Sequence, residues 1–211
     1  MMGGAYLKPH PEYYAHTAIK DICATDEVTA DFDVLEAVIP AATARGRRVM
    51  SKLIEPLFKH AGHGSVNNVA IANMPQQLEI DLYGRTGSEP CTNNSDSRRL
   101  WQSLSEDQCR SYAIDGIMWC NERRSLLDQM VAGQAPGCFC EHCRREAITR
   151  GIDVEPVRKA FLTEWDYFQQ VRAGDALVDG ALIEFLRVLF ANPEILIWER
   201  FWLERNRDLD R

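Results

Sequence analysis

The chain has 211 residues, enough to bury a core within one domain or at most two. Apolar residues at 45% and charged residues at 26% exclude a disordered, collagen-like or fibrous chain. Lysine and arginine total 24 against 31 aspartates and glutamates, and the resulting net charge of −7 excludes a basic-groove nucleic-acid binder and gives no attraction to an anionic membrane.

No window reaches the uninterrupted apolar length of a membrane span, and residues 1–20 carry charges and prolines where a signal peptide needs an apolar stretch. A cytoplasmic protein is expected. The seven cysteines are an odd number, and three of them fall within six positions. That usage suits a reducing compartment and a metal site better than a secreted disulfide framework.

In chain order, Gly4 to Lys8 reads as a short strand followed by turns around His10, Pro11 and His16. Phe32, Leu35, Val38, Ile39 and Ala42 recur at helical spacing, with Pro40 expected to kink or break the helix and Gly46 to close it. Arg47 to Ile54 reads as a strand ended by Glu55-Pro56, and Val66 to Ala72 as another. Met74 to Asp96 is rich in turn formers. Arg98 to Tyr112 suits a helix presenting Leu100, Trp101, Leu104 and Cys109. Ile114 to Trp119 is the strongest strand, apolar enough for burial on both faces.

A single domain over residues 1–211 is expected, in which this alternation predicts a parallel α/β architecture over residues 1–122. Residues 123–150 are expected to form a loop carrying the cysteine cluster, and 151–211 a helical segment. In that segment Val157, Phe161, Trp165 and Phe168 form one stripe and Leu182, Leu186, Leu189 and Phe190 another. A loop is expected from Gly174 to Gly180. Ile195 to Glu199 imitates a barrel strand, but Trp198, Phe201 and Trp202 extend it as a helical face, so a helix is expected.

Two constellations carry chemistry. The strand at Ile114 to Cys120 runs into Asn121-Glu122, which puts an amide and a carboxylate just beyond its carboxyl end, the ligand-binding edge of parallel α/β folds. A glutamate there can serve as general acid, and an asparagine can hydrogen-bond a sugar hydroxyl. The plainer alternative is a solvated pair between Glu122 and Arg123 or Arg124. The second constellation is Cys138-Phe139-Cys140-Glu141-His142-Cys143, a C-x-C-x-x-C knot whose thiolates can converge on one ion. A fourth ligand is needed, with Cys91 the first choice, then His142, then Cys120. Its plainer alternative is three reduced thiols. Cys23, Cys109, His10, His16, His60 and His63 are assigned no role.

Together these segments resemble the zinc-containing β-galactosidases of glycoside hydrolase family forty-two, within the clan of sugar-cleaving (β/α)8 barrels. The resemblance rests on Gly84-Arg85 with Cys91-Thr92-Asn93-Asn94-Ser95 and Arg98-Arg99-Leu100, on Trp119-Cys120-Asn121-Glu122, and on Cys138 to Cys143. It covers residues 82–150 and implies that Glu122 is the acid/base, that Asn121, Arg85 and Trp119 bind substrate, and that Cys91, Cys138, Cys140 and Cys143 hold a structural zinc. The implied partner is a carbohydrate or glycoside.

A full barrel has eight strands in about 250 residues, so only the first four strands are expected here, followed by a long helical tail. The nucleophile of a retaining enzyme would then lie on a later strand; within this chain Glu199 is the candidate substitute, and Glu55 is a further pocket candidate. A half-barrel leaves edges and apolar surface to be covered by a second copy or by the missing half. Two further readings are a zinc-stabilised barrel remnant acting as a non-catalytic binding or scaffold protein, and a cysteine redox protein.

Overall fold

The computed structural model describes residues 7–18, 32–54, 74–120, 125–174 and 180–207. Chain contacts divide into two units, Met1–Leu78 with Gly87–Glu122, and Glu79–Thr86 with Arg123–Arg211. The fold is mixed α/β and mostly helical, and the described residues hold two sheets of two strands each. Among them, no helix is long and apolar enough to cross a membrane.

In the first unit, Asp33 opens helix α1 (Val34–Thr43) by accepting from the Glu36 amide at 2.9 Å. The helix runs through Pro40 instead of breaking there. Proline removes only one intrahelical donor, and so near the carboxyl end little helix remains to disrupt. Of the expected apolar stripe, Ile39 is buried while Phe32 and Val38 are exposed. Gly46, at φ 63°, turns the chain after the helix, a conformation glycine adopts without steric cost. Strand β1 (Met50–Ile54) follows.

Strands β2 (Leu78–Ile80) and β3 (Thr86–Pro90) fall within the segment expected to be all turns. Their connection is short enough only for an antiparallel hairpin. Thr86-Gly87-Ser88-Glu89-Pro90 has no apolar alternation, so β3 leaves no pattern in the sequence. Helix α2 (Ser95–Ser111) starts one turn earlier than its apolar spacing suggests, because the Asn94 side chain caps it at the Asp96 amide, 2.9 Å away.

Strand β4 (Gly116–Cys120) pairs in parallel with β1, from Met50 opposite Gly116 to Ile54 opposite Cys120. At the amino end of the pair, Val49 donates to Asp115 Oδ2 at 2.7 Å and Asp115 donates back to the Val49 carbonyl at 2.8 Å. α2 lies in the crossover that parallel strands require, setting Trp101 edge-on to Trp119 at 5.3 Å and Gln108 within a hydrogen bond of Ser51. Burial of β4 on both faces is not observed, since Met118 is 50% exposed and Trp119 39%. α2 packs on this two-stranded sheet, and these side chains keep contact with solvent.

The amino-terminal turn Pro11–Tyr14 is fastened to α2 by one carboxylate. Asp107, fully buried, accepts from the His10 amide at 3.1 Å, Tyr14 Oη at 2.9 Å and Ser111 Oγ at 2.9 Å, and pairs with His10 Nδ1 at 2.7 Å. Leu7 and Lys8 are irregular chain, and the rest of the Gly4 to Lys8 candidate strand lies outside the described residues, as does Val66 to Ala72.

The second unit is helical: α3 (Leu126–Val131), α4 (Glu141–Thr149), α5 (Val154–Ala173), α6 (Ala181–Ala191) and α7 (Pro193–Arg207). Gly174, left-handed at φ 81°, terminates α5. Val157, Phe161 and Trp165 of α5 and Ile195, Trp198, Phe201 and Trp202 of α7 form the core. Ile195 to Glu199 is therefore helical, as its periodicity predicts. Glu199 accepts from the Leu126 amide at 3.0 Å, capping α3 from another element, and burial holds its carboxyl above the usual range.

Glu164 of α5 is fully buried, and neither carboxylate oxygen has a hydrogen-bond partner among the described residues. Burial lifts its pKa from 4.5 to about 7. The folded state therefore favours the protonated form. The stability this group allows is intact below about pH 4.5 and is lost as pH rises to about 7, amounting to about 3 kcal/mol. Glu164→Met is expected to raise the urea midpoint at pH 8 much more than at pH 5, and an equal gain at both pH values would contradict a buried ionising carboxylate.

Candidate metal centre

The knot sits where an extended segment enters α4. Cys140 is the N-cap of α4 and Cys143 the third residue of that helix. A three-residue offset on a helix puts both side chains on one face at its amino end, where backbone N–H groups favour thiolates. Cys138 lies in the extended segment before it, which runs along the hairpin. Leu82 donates to the Pro136 carbonyl at 2.9 Å and Phe139 to the Ile80 carbonyl at 2.7 Å. Gly137 makes that approach possible, because a Cβ there would stand 3.1 Å from the Ile80 oxygen. The Ile80 amide donates to Cys138 Sγ at 3.3 Å.

The hairpin turn is fixed by Asp81. Its carboxylate accepts from the amides of Tyr83 and Arg85, both at 2.9 Å, and pairs with Arg85 Nε at 2.7 Å, while Gly84 takes the left-handed position at φ 81°. Cys91 follows β3 directly. Its amide donates to the Gln77 carbonyl at 2.7 Å, and its carbonyl accepts from Asn94 at 3.0 Å, so the capped start of α2 holds it.

The Sγ atoms of Cys91, Cys138, Cys140 and Cys143 all lie within 4.8 Å of one another. None of the four is in a disulfide. A tetrahedral ion with bonds of roughly 2.3 Å to sulfur has S···S edges of about 3.8 Å, so the cluster is within a small contraction of that geometry. All four residues are buried. The donor set is all sulfur, which suits a soft or borderline cation and leaves no open coordination position for water.

A charged side chain also reaches the cluster from α7. Arg205, fully buried, donates from Nη1 to Cys143 Sγ at 3.1 Å and from Nη2 to Glu79 Oε1, and its guanidinium lies 5.1 Å over the Trp202 ring. Neither Arg205 nor Glu79 stood out by motif. Arg205 does continue the buried α7 face at helical spacing from Trp198 and Trp202, and a cation on an apolar stripe was the readable signal.

Of the expected site residues, the four preferred cysteines come together. His142 instead has its Nδ1 3.1 Å from Arg145 Nη2. Arg85 is exposed, ion-paired to Asp81 and stacked over Tyr83 at 5.1 Å. Trp119 is partly exposed against Trp101. Cys109 is exposed. Asn121, Glu122, Glu55, Cys23, His60, His63 and the side chain of Cys120 lie outside the described residues. Comparison with family models, with curated proteins and with solved structures finds no match.

Proposed function

We propose that this chain is a zinc-braced part of a (β/α)8-type carbohydrate-active fold that hydrolyses O-glycosidic bonds with retention, using Glu122 as general acid/base. The parallel pairing of β1 with β4 carries this reading. Ile54 stands opposite Cys120, so both strands leave their sheet at the same carboxyl edge, the edge where parallel α/β folds bind ligands. In sequence, one strand leads directly to Glu55 and the other to Asn121-Glu122.

The chemistry assigned to Glu122 has two steps. As an acid, its carboxyl proton passes to the glycosidic oxygen while the bond to the anomeric carbon breaks and a second carboxylate forms the covalent intermediate. As a base, Glu122 then takes a proton from the water that releases the sugar. Asn121 would hydrogen-bond a sugar hydroxyl beside it, and Trp119 would border the sugar. The second carboxylate is not assigned to a residue of this chain. Cys91, Cys138, Cys140 and Cys143 would hold zinc, whose contribution is folding energy and not a reaction step.

The experiment is a panel of aryl glycosides with Glu122→Gln. Turnover is expected to fall at least about a hundredfold, most for poor leaving groups, with metal content and circular dichroism unchanged. Equal turnover in the variant removes Glu122 from the mechanism. Sugar binding without turnover in the parent protein replaces hydrolysis with the non-catalytic binding reading.

A further inference from the structure

We propose that Arg205 is the hydrogen-bond donor that tunes the metal–thiolate centre through Cys143, with Glu79 positioning it. The inference rests on the reading of the four cysteines as a metal site and adds to it a residue from α7, far along the chain from any ligand.

Three observations carry it. A guanidinium with no exposed surface is costly to bury, and the hydrogen bonds made by its terminal nitrogens offset part of that cost. Here its two terminal nitrogens are divided between two acceptors, Nη1 to Cys143 Sγ at 3.1 Å and Nη2 to the Glu79 carboxylate. The guanidinium carbon also lies 5.1 Å over the Trp202 ring, a cation–π contact that favours this placement of the fork.

The consequence follows from the charge on the ligand set. Four thiolates around a divalent cation leave two negative charges in a buried place, and an N–H donor aimed at one sulfur withdraws electron density from it. Cys143 then stays bound as a thiolate and becomes a poorer nucleophile. Glu79 balances the arginine's own charge while holding the fork in register. A lysine would keep a positive charge but lose the planar, divided contact. Groups in this outer position typically change metal affinity by 10–100-fold when removed.

The test uses the full chain, reduced and loaded with Zn(II), in competition with a chromophoric chelator, and then loaded with Co(II). Arg205→Met is expected to weaken zinc binding by about 10–100-fold. It is also expected to move the sulfur-to-cobalt charge-transfer band to lower energy, a shift that a purely packing role would not produce. Arg205→Lys should fall between parent and Met. Glu79→Gln, which keeps the arginine but loosens its register on the sulfur, should move the band the same way by less and supplies the readout if the Arg205 variants fail to fold. If the parent chain binds no metal, the metal reading itself fails. If the parent binds zinc while the folded variants keep both its affinity within twofold and its band position, the role of Arg205 is overturned and the metal reading stands.

Discussion

Removal of the metal proposed for the four-cysteine cluster, by a strong chelator under reducing conditions, is expected to cost the protein more than about 5 kcal/mol, seen as a drop in thermal midpoint and lost helicity at the start of α4. Structural zinc binds its peptides with apparent free energies of about 10–16 kcal/mol, and that energy is folding energy because the site does not exist in the unfolded chain. Without a cation, four sulfurs within 4.8 Å of one another must either repel as thiolates or protonate in a buried place. Where Cys143 protonates, Arg205 would keep a buried positive charge beside a weakened acceptor. Serine at any one of the four ligand positions should approach the chelated state, since a tetrahedral set fails when one member is lost. Cys109→Ser, at an exposed position, should leave midpoint and metal content unchanged. A chelated protein that melts with its parent, or metal content below half an equivalent per chain, would remove the centre.

The cysteine cluster was legible because its chemistry is written in local spacing. C-x-C-x-x-C puts three sulfurs within a turn of chain, and the polar loop before α2 supplied the fourth at Cys91. The long helices α5 and α7 were legible for a related reason, whereas α3 and the start of α4 fall in the stretch expected to be a loop. Val157, Phe161 and Trp165 repeat at the period of one buried face, and the same period separated Ile195 to Glu199 from a strand.

What failed had no local signature. β3 is held by its hairpin partner and by the Asp81 turn, not by an apolar pattern. Pro40 is expected from sequence to kink or break its helix, yet α1 runs through it, because its place near the end of α1 makes it tolerable. Asp107, Glu79 and Arg205 are single charged residues whose meaning depends on a partner 97, 126 or 62 positions away. No window of sequence holds both members of such a pair. Glu122 differs again, since its assignment rests on a dipeptide following a strand and on the partner register of that strand.

Phe139→Ala is expected to destabilise the second unit by about 3–5 kcal/mol and to loosen metal binding with it. The residue stands between two of the clustered cysteines, Cys138 and Cys140, and its side chain packs in the helical core. It stacks on Trp198 at 5.2 Å with the rings 4° from parallel and meets Phe161 edge-on at 6.2 Å. Its backbone is held on both sides, the amide by the Ile80 carbonyl at 2.7 Å and the carbonyl by Arg144 Nε at 3.1 Å. Cys138 and Cys140 therefore take their separation from a residue anchored by packing, and alanine would remove the anchor while leaving the ligands intact. Phe139→Leu keeps most of the buried area and should lose less than half as much stability. A cycle with Trp198→Ala isolates the stacked pair, for which a coupling of about 0.5–1.5 kcal/mol is expected. Urea midpoints and chelator competition on the same samples separate the two effects. If Phe139→Ala loses under about 1 kcal/mol, the ring does not anchor the knot. If stability falls while affinity for the proposed metal holds, the spacing of the cysteines is set by the hairpin contacts at Ile80 alone.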